Sequence, residues 1–246
     1  MYEGPPPVSV RDVTLLAMAS PVTRRLRIRW RRGEAVSATF RRPTPAAQTA
    51  VLLAPGAGGG RRHPFMAVLQ DGLAAAGHPV LAFDYPYFEA GRRAPDRMEV
   101  LLAAHRAAAE RLAGYAPQVV LAGKSMGGRM GSHLVGDGGW LAAGLVYYGY
   151  PLVPQGTKPA RPVDHLERIQ APQLFFAGTR DRLSPPRLVG PIVARLPRAT
   201  LVAIEGADHG FRRSPRSGDG DVMARLVAET VSWLAALERR YLGGER

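Results

Sequence analysis

What most narrows the folds open to this chain is a repeated alternation of short, continuous apolar runs with longer stretches of helical periodicity. The runs are "AVLLA" (50–54), "VLAF" (80–83), "VVLAG" (119–123), "GLVYYG" (144–149), "QLFFAG" (173–178) and "TLVAIEG" (200–206). Each is too short for a helix and apolar at successive positions, the pattern of a strand buried on both faces of a parallel sheet. Between them, about 64–76, 96–113, 126–136, 163–168, 185–196 and 221–239 carry apolar residues at helical spacing. Strands alternating with helices predict an α/β fold, a mostly parallel central sheet with helices on both faces. Upstream, "RRLRIRW" and "AVSATFRR" alternate around Gly33 and predict an N-terminal antiparallel hairpin. Residues 1–7, ending in Pro5-Pro6-Pro7, read as a loose tail, and "VTLLAMA" (Val13–Ala19) reads as a first strand. With no repeat of fixed period and no long linker, a single domain over 1–246 is expected.

Composition removes several functional classes. An apolar share of 46% supplies a substantial core and argues against wholesale disorder. The absence of cysteine excludes a disulfide framework and thiolate metal sites, and no motif asks for a metal or an organic cofactor. The formal charge of +13 invites a nucleic-acid reading. Against it, only Lys124 and Lys158 among the 33 basic residues are lysines, and the arginines are scattered along the chain, not gathered into one run interleaved with aromatics. That skew reads as a general arginine bias, so no nucleic-acid partner is expected. No apolar run approaches the roughly 18 residues of a membrane span, and Val13–Ala19 lacks the basic start and length of a signal peptide. The expectation is a cytoplasmic protein, monomer or homodimer, acting on a small molecule.

The segment "AGKSMGGRMG" (122–131) admits two chemistries. As a phosphate-binding loop, Gly123-Lys124-Ser125 would need a glycine at 118, where Gln118 stands, and the residues between are strand. A strand cannot wrap a phosphate. As a nucleophile elbow, the segment needs a strand, a sharp turn carrying the serine, a helix, and small residues two positions to either side. Gly123 and Gly127 satisfy that need around Ser125.

A nucleophilic serine requires a base, and the base an orienting acid, supplied on this class of fold in the chain order serine, acid, histidine. His209 in "EGADHGF" sits just past the last core strand, between Gly206 and Gly210, and is the candidate base. His63 lies in the loop after the first core strand, where it could line the site; His78, His105, His133 and His165 read as structural. Asp181, three residues past Gly178, is the candidate acid, with Asp164 as the fallback. Asp208 is a decoy, because adjacent side chains diverge. The oxyanion needs backbone donors: the N–H of Met126, just after the serine, and that of Ala57 in "PGAGGG".

With these residues in place, the chain resembles the α/β-hydrolase superfamily over roughly 24–240. More narrowly, "LLAPGAGGG", "VLAFDYPY", "AGKSMGGRM", "GYPLVPQGTKP", "GTRD" and "DHGF" resemble the KANL/Tex-type branch related to dienelactone hydrolases. The resemblance implies a small bacterial serine hydrolase of undefined substrate, in a branch that also includes eukaryotic members thought to act in complexes. Many relatives insert a lid after the sixth strand. Here the proline-rich stretch Tyr150–Asp164 is too short for one, so no large lid and an open site are expected. Tyr85, Tyr87, Tyr148 and Tyr150, with Phe88, Leu152 and Met126, are candidates for an apolar rim, and Lys124 with Arg61, Arg62, Arg92, Arg93 and Arg129 for a positive one. The expected chemistry is hydrolysis of carboxylic esters through an acyl-enzyme. The alternatives are a non-catalytic scaffold binding a protein partner, or a thioesterase, lactonase or peptidase using the same three residues.

Overall fold

A strand with apolar residues at successive positions must bury both of its faces; the first five runs do so side by side, while the sixth lies half-buried at the sheet's edge. In a computed structural model of the chain, which describes residues 19–154, 160–213 and 220–242, they form β3 (Thr49–Ala54), β4 (Val80–Phe83), β5 (Gln118–Lys124), β6 (Gly144–Tyr148), β7 (Gln173–Gly178) and β8 (Ala199–Ile204). Neighbours among these six pair in parallel. The hairpin strands β1 (Ala19–Arg31) and β2 (Glu34–Thr44) turn at Gly33, whose φ of 77° belongs to the left-handed region that glycine tolerates. β2 then pairs antiparallel with β4, so eight strands run in the order β1-β2-β4-β3-β5-β6-β7-β8. The tail over 1–7 and most of the expected strand over 13–19 lie outside the described residues.

Alternation along each strand sends side chains to opposite layers. Val51 and Leu53 of β3 join the cluster beneath α1 (Pro64–Ala75) and α6 (Gly220–Leu242), while Ala50, Leu52 and Ala54 join the one beneath α3 (Met98–Ala113) and α4 (Met126–Gly136). On the latter side, α5 (Pro186–Arg195) covers β7 and β8, with Val189 and Val193 buried beneath it. Leu52, Leu53, Leu69 and Leu73 are fully buried, each contributing about 1.5–3 kcal/mol relative to exposure. The short helix α2 (Pro86–Glu89) is not marked by periodicity. Pro86 at its first position explains it, since the fixed φ of proline starts a helix turn without losing a hydrogen bond. The stretch expected as a helix over 163–168 is a single 3₁₀ turn, Asp164–Leu166.

The connection after β6 lies flat. Leu152 and Val153 donate their N–H groups to the Leu183 carbonyl at 2.8 and 2.9 Å, and the Arg161 N–H returns to the Leu152 carbonyl at 2.8 Å. Its described residues follow the surface of the loop after β7 and form no cover over the sheet's carboxyl edge.

Candidate active site

Ser125 follows β5 directly and precedes α4. Its N–H continues the sheet to the Tyr148 carbonyl at 3.0 Å, while its carbonyl accepts from Arg129 N–H at 3.1 Å and so begins the helix. Serving both elements forces the serine to φ 49°, ψ −112°. For a non-glycine residue such a conformation costs on the order of 1–3 kcal/mol and persists only where the surroundings over-determine it. The flanking glycines show why. A Cβ on Gly123 would collide with the backbone of Gly127 and Gly128, and one on Gly127 with the backbone of Ala54 and Pro55.

Three side chains from three strand ends meet here. His209 Nε2 lies 2.9 Å from Ser125 Oγ, and His209 Nδ1 lies 2.8 Å from Asp181 Oδ2. The other oxygen of Asp181 accepts the N–H groups of Leu183 and Ser184 at 2.8 and 2.9 Å, so both oxygens of the carboxylate are engaged. Burial is the largest influence on Asp181 and pushes its pKa up. The hydrogen bond and charge of His209, with the Ser184 and Leu183 N–H groups, outweigh it and hold the carboxyl below its ordinary value. Asp208 serves the backbone instead. Its Oδ1 accepts the N–H groups of Gly210 and Arg212 at 2.7 and 3.0 Å, closing the turn that presents His209. Asp164 opens the 3₁₀ turn and does not line the cleft.

Ser125 and His209 line a cleft of about 380 Å³ whose opposite wall is the loop Pro55–Gly60. That loop lies against the elbow: a Cβ on Gly56 would be in ordinary contact, 3.5 Å from Lys124 Cγ and 3.7 Å from Ser125 Cβ. Ala57 lines the cleft, and its carbonyl accepts the Tyr87 hydroxyl at 2.9 Å. Met126 opens α4, so its N–H is one of the first-turn donors that have no acceptor within the helix.

The tyrosine rim is corrected. Tyr85, Tyr87 and Tyr148 are fully buried and Tyr150 is 2% exposed. Tyr148 turns inward from the end of β6, and Tyr85, Tyr87 and Tyr150, on α2 and the segments just past the strands, fold back into the layers beside the sheet; each hydroxyl finds an internal partner. Tyr85 hydrogen-bonds His105 Nδ1 at 2.9 Å, Tyr148 donates to Thr230 Oγ1 at 2.9 Å, and Tyr150 meets Ser132 Oγ and His165 Nε2, each at 3.0 Å. The apolar wall is instead Phe65, Met66 and Leu183, with His63 and Arg212 beside them. No periodicity marks these as site residues, because α1 and two distant loops bring them together. His63 has a second role, capping α1 by accepting the Phe65 N–H at 3.3 Å. Gly149 also escapes a reading of the sequence. Its φ of 72° carries the chain past the site, and a Cβ there would stand 3.3 Å from both Asp181 and His209.

The positive rim is largely spoken for. Arg61 pairs with Asp84 and Arg92 with Asp96, while Arg129 reaches back to the Pro162 carbonyl at 3.1 Å and holds the connection after β6. Lys124 does line the cleft. Its Nζ donates to the His209 carbonyl and faces the rings of Phe65 and Phe211 at 5.7 and 5.3 Å. Burial lowers its pKa from 10.5 to about 8, against the opposing pull of Asp181 and Asp208.

Among the described residues, one group has metal-ligating atoms within reach of one another: His133, Asp137 and His165, all within 4.8 Å. The two rings are stacked, 3.7 Å apart and 16° from parallel, so their in-plane lone pairs run side by side and do not converge on an ion. Asp137 is moreover paired with Arg168. This is a hydrogen-bonded polar cluster.

A parallel sheet whose fifth strand delivers a serine on a strained turn, with an acid and a histidine on later strand ends, defines the α/β-hydrolase class. A family model described as an alpha/beta hydrolase domain matches residues 47–235, and the chain belongs to that family. Solved structures share the fold. Dienelactone hydrolase from Anabaena variabilis superposes with a TM-score of 0.71 at 19% identity, covering 89% of this chain and 99% of that one. Est1E from Butyrivibrio proteoclasticus gives 0.66 at 14% identity, covering 86% and 99%. XC6422 from Xanthomonas campestris, described as an α/β serine hydrolase without lid, gives 0.62 at 17% identity, covering 89% and 94%. The expected relation to dienelactone hydrolases is thus met at the level of fold. None of the curated proteins compared matches the chain. No helix among the described residues is long and apolar enough to cross a membrane.

Proposed function

We propose that the protein hydrolyses small carboxylic esters through an acyl-enzyme on Ser125. The observation that carries this reading is the unbroken hydrogen-bond series from Asp181 through His209 to Ser125 Oγ, at 2.8 and 2.9 Å. His209 Nε2 takes the hydroxyl proton as Oγ attacks the carbonyl carbon. Asp181, kept ionised, holds the Nδ1–H tautomer and stabilises the imidazolium. The N–H groups of Met126 and Ala57 receive the oxyanion. His209 then gives its proton to the leaving alkoxide. A water activated by the same nitrogen releases the acid and restores the serine.

The absence of a cover among the described residues supports short or slender acyl groups, laid against Phe65, Met66 and Leu183. The Ser125→Ala variant tests the reading. Its kcat/KM on p-nitrophenyl acetate is expected to fall by about 10⁴-fold or more, and a fluorophosphonate probe that labels the native chain is expected to leave the variant unlabelled. Equal turnover by the two proteins would sink the assignment. A native fold that never labels would favour the scaffold alternative. A parallel panel of thioesters and lactones distinguishes esterase from its nearest chemical relatives.

A further inference from the structure

Four arginines converge in a second cavity that the hydrolytic site does not use. Arg25 on β1 stands opposite Thr39 on β2, and Thr23 stands opposite Arg41. Cross-strand partners share a face, as do residues two apart, so these side chains form one block facing α1. Arg61 and Arg62, from the loop after β3, close one side of it, and Gln70 of α1 closes another. The depression, open to solvent on the side of Arg25 and Arg62, has a volume of about 370 Å³, at the small-molecule end of ligand sites. None of its lining residues lines the Ser125 cleft.

Its charge is only half balanced. Arg41 pairs with Asp71 and Arg61 with Asp84, whereas Arg25 and Arg62 are exposed and have no ion-pair or hydrogen-bond partner among the described residues. Arg61, fixed by its Nε–H to Thr39 Oγ1 at 3.2 Å, reports the surplus. Burial lowers its pKa most, and the charge of Arg62 lowers it next; Glu89 opposes, while Arg25 and Arg27 add to the lowering. A concave site lined by one sign of charge concentrates the opposite charge, and guanidinium forks match the oxygens of a phosphoryl group two at a time.

We propose that this cavity binds a compact phosphoryl-bearing polyanion, gripped at the mouth by Arg25, Arg62 and the Thr23 hydroxyl and oriented at the base by Arg61 and Arg41. Such a ligand ties β1 to the loop whose other end carries Ala57. It therefore sits where it can steady that wall of the cleft without entering it.

Calorimetric titration with pyrophosphate at fixed ionic strength tests this, using the native protein, Ser125→Ala, Arg25→Gln/Arg62→Gln and Arg25→Lys/Arg62→Lys. The native protein and Ser125→Ala are expected to bind one pyrophosphate with equal affinity. The glutamine pair, at two exposed positions without partners, is expected to weaken binding about tenfold or more, with an unchanged circular dichroism spectrum. The lysine pair, keeping charge but not the fork, is expected to fall between. Binding unaffected by the glutamine pair, or no saturable binding at all, overturns the site. Citrate binding more tightly than pyrophosphate overturns the phosphoryl assignment.

Discussion

Lys124 stands where two chemistries could be read from the same residues, and its neighbours explain what it does. The ammonium is held over two aromatic faces and donates to the carbonyl of His209, so it braces the loop carrying the proposed base from beneath. A hydrogen bond of this kind is worth about 1 kcal/mol, and a base displaced by a fraction of an ångström loses rate before it loses binding. Lys124→Met is therefore expected to lower kcat about tenfold while KM changes little. Because the variant removes a cation that burial already penalises, its urea midpoint is expected to hold or rise. An unchanged kcat would show that the His209 loop needs no such brace. The tyrosines make the opposite point at the same scale. Aromatic residues at strand ends suit a site rim as well as a core, and only the partners of their hydroxyls decided which they are. Tyr87 supports the cleft from behind through the Ala57 carbonyl, as Tyr148 does through its own carbonyl on the Ser125 N–H and its ring against Phe65.

The turn between β5 and α4 is the element on which the site depends. Its glycines are required by contact with neighbouring backbone, not by their own φ angles. Gly127→Ala would drive a methyl group into the backbone of Ala54 and Pro55, neither of which can move without parting β3 from β5. We expect a loss of about 1–3 kcal/mol in a urea titration together with loss of fluorophosphonate labelling. Gly58→Ala, at a position with nothing within 4 Å of the added atom, is the contrasting case, expected to stay within about 0.5 kcal/mol of the parent. If the two variants proved equally stable, the crowding at the elbow would be refuted. This element was legible in the sequence because glycine spacing, strand and helix all lie within one contiguous segment. The hairpin was legible as a hairpin, but its place beside β4 was not, since nothing in β2 names its second partner.

For the molecule as a whole, acidity tests the interior. His105, against Phe83 and hydrogen-bonded to Tyr85, is pushed by burial from 6.5 to about 3. His165 is likewise lowered to about 3, chiefly by burial and then by His133 and Arg129. His133 shifts downward, again chiefly through burial. The unfolded chain binds protons on these rings below about pH 6.5, whereas the folded chain resists until much lower. The stability they contribute is thus complete above about pH 6.5 and is lost as pH falls towards about 3. Unfolding midpoints in urea are expected to drop between about pH 6.5 and 4, and the slope is expected to be shallower in His105→Phe. A midpoint independent of pH across that window would contradict the neutral, buried state of these rings.

The sequence by itself determined the strand–helix alternation, the direction of the core strands, the elbow around Ser125, and the residues Asp181 and His209 at later strand ends. All of these are written in local signals: period, glycine spacing, and position just past an apolar run. Tertiary structure alone decided the hydrogen-bonding order of the three side chains, the wall of Phe65, Met66 and Leu183, the crowding at Gly149, the brace from Lys124 and the convergence of arginines between the hairpin and α1. The physical reason is common to them. Each is a contact between segments far apart in the chain, and such contacts follow from how the sheet twists and stacks its helices, which no window of sequence contains.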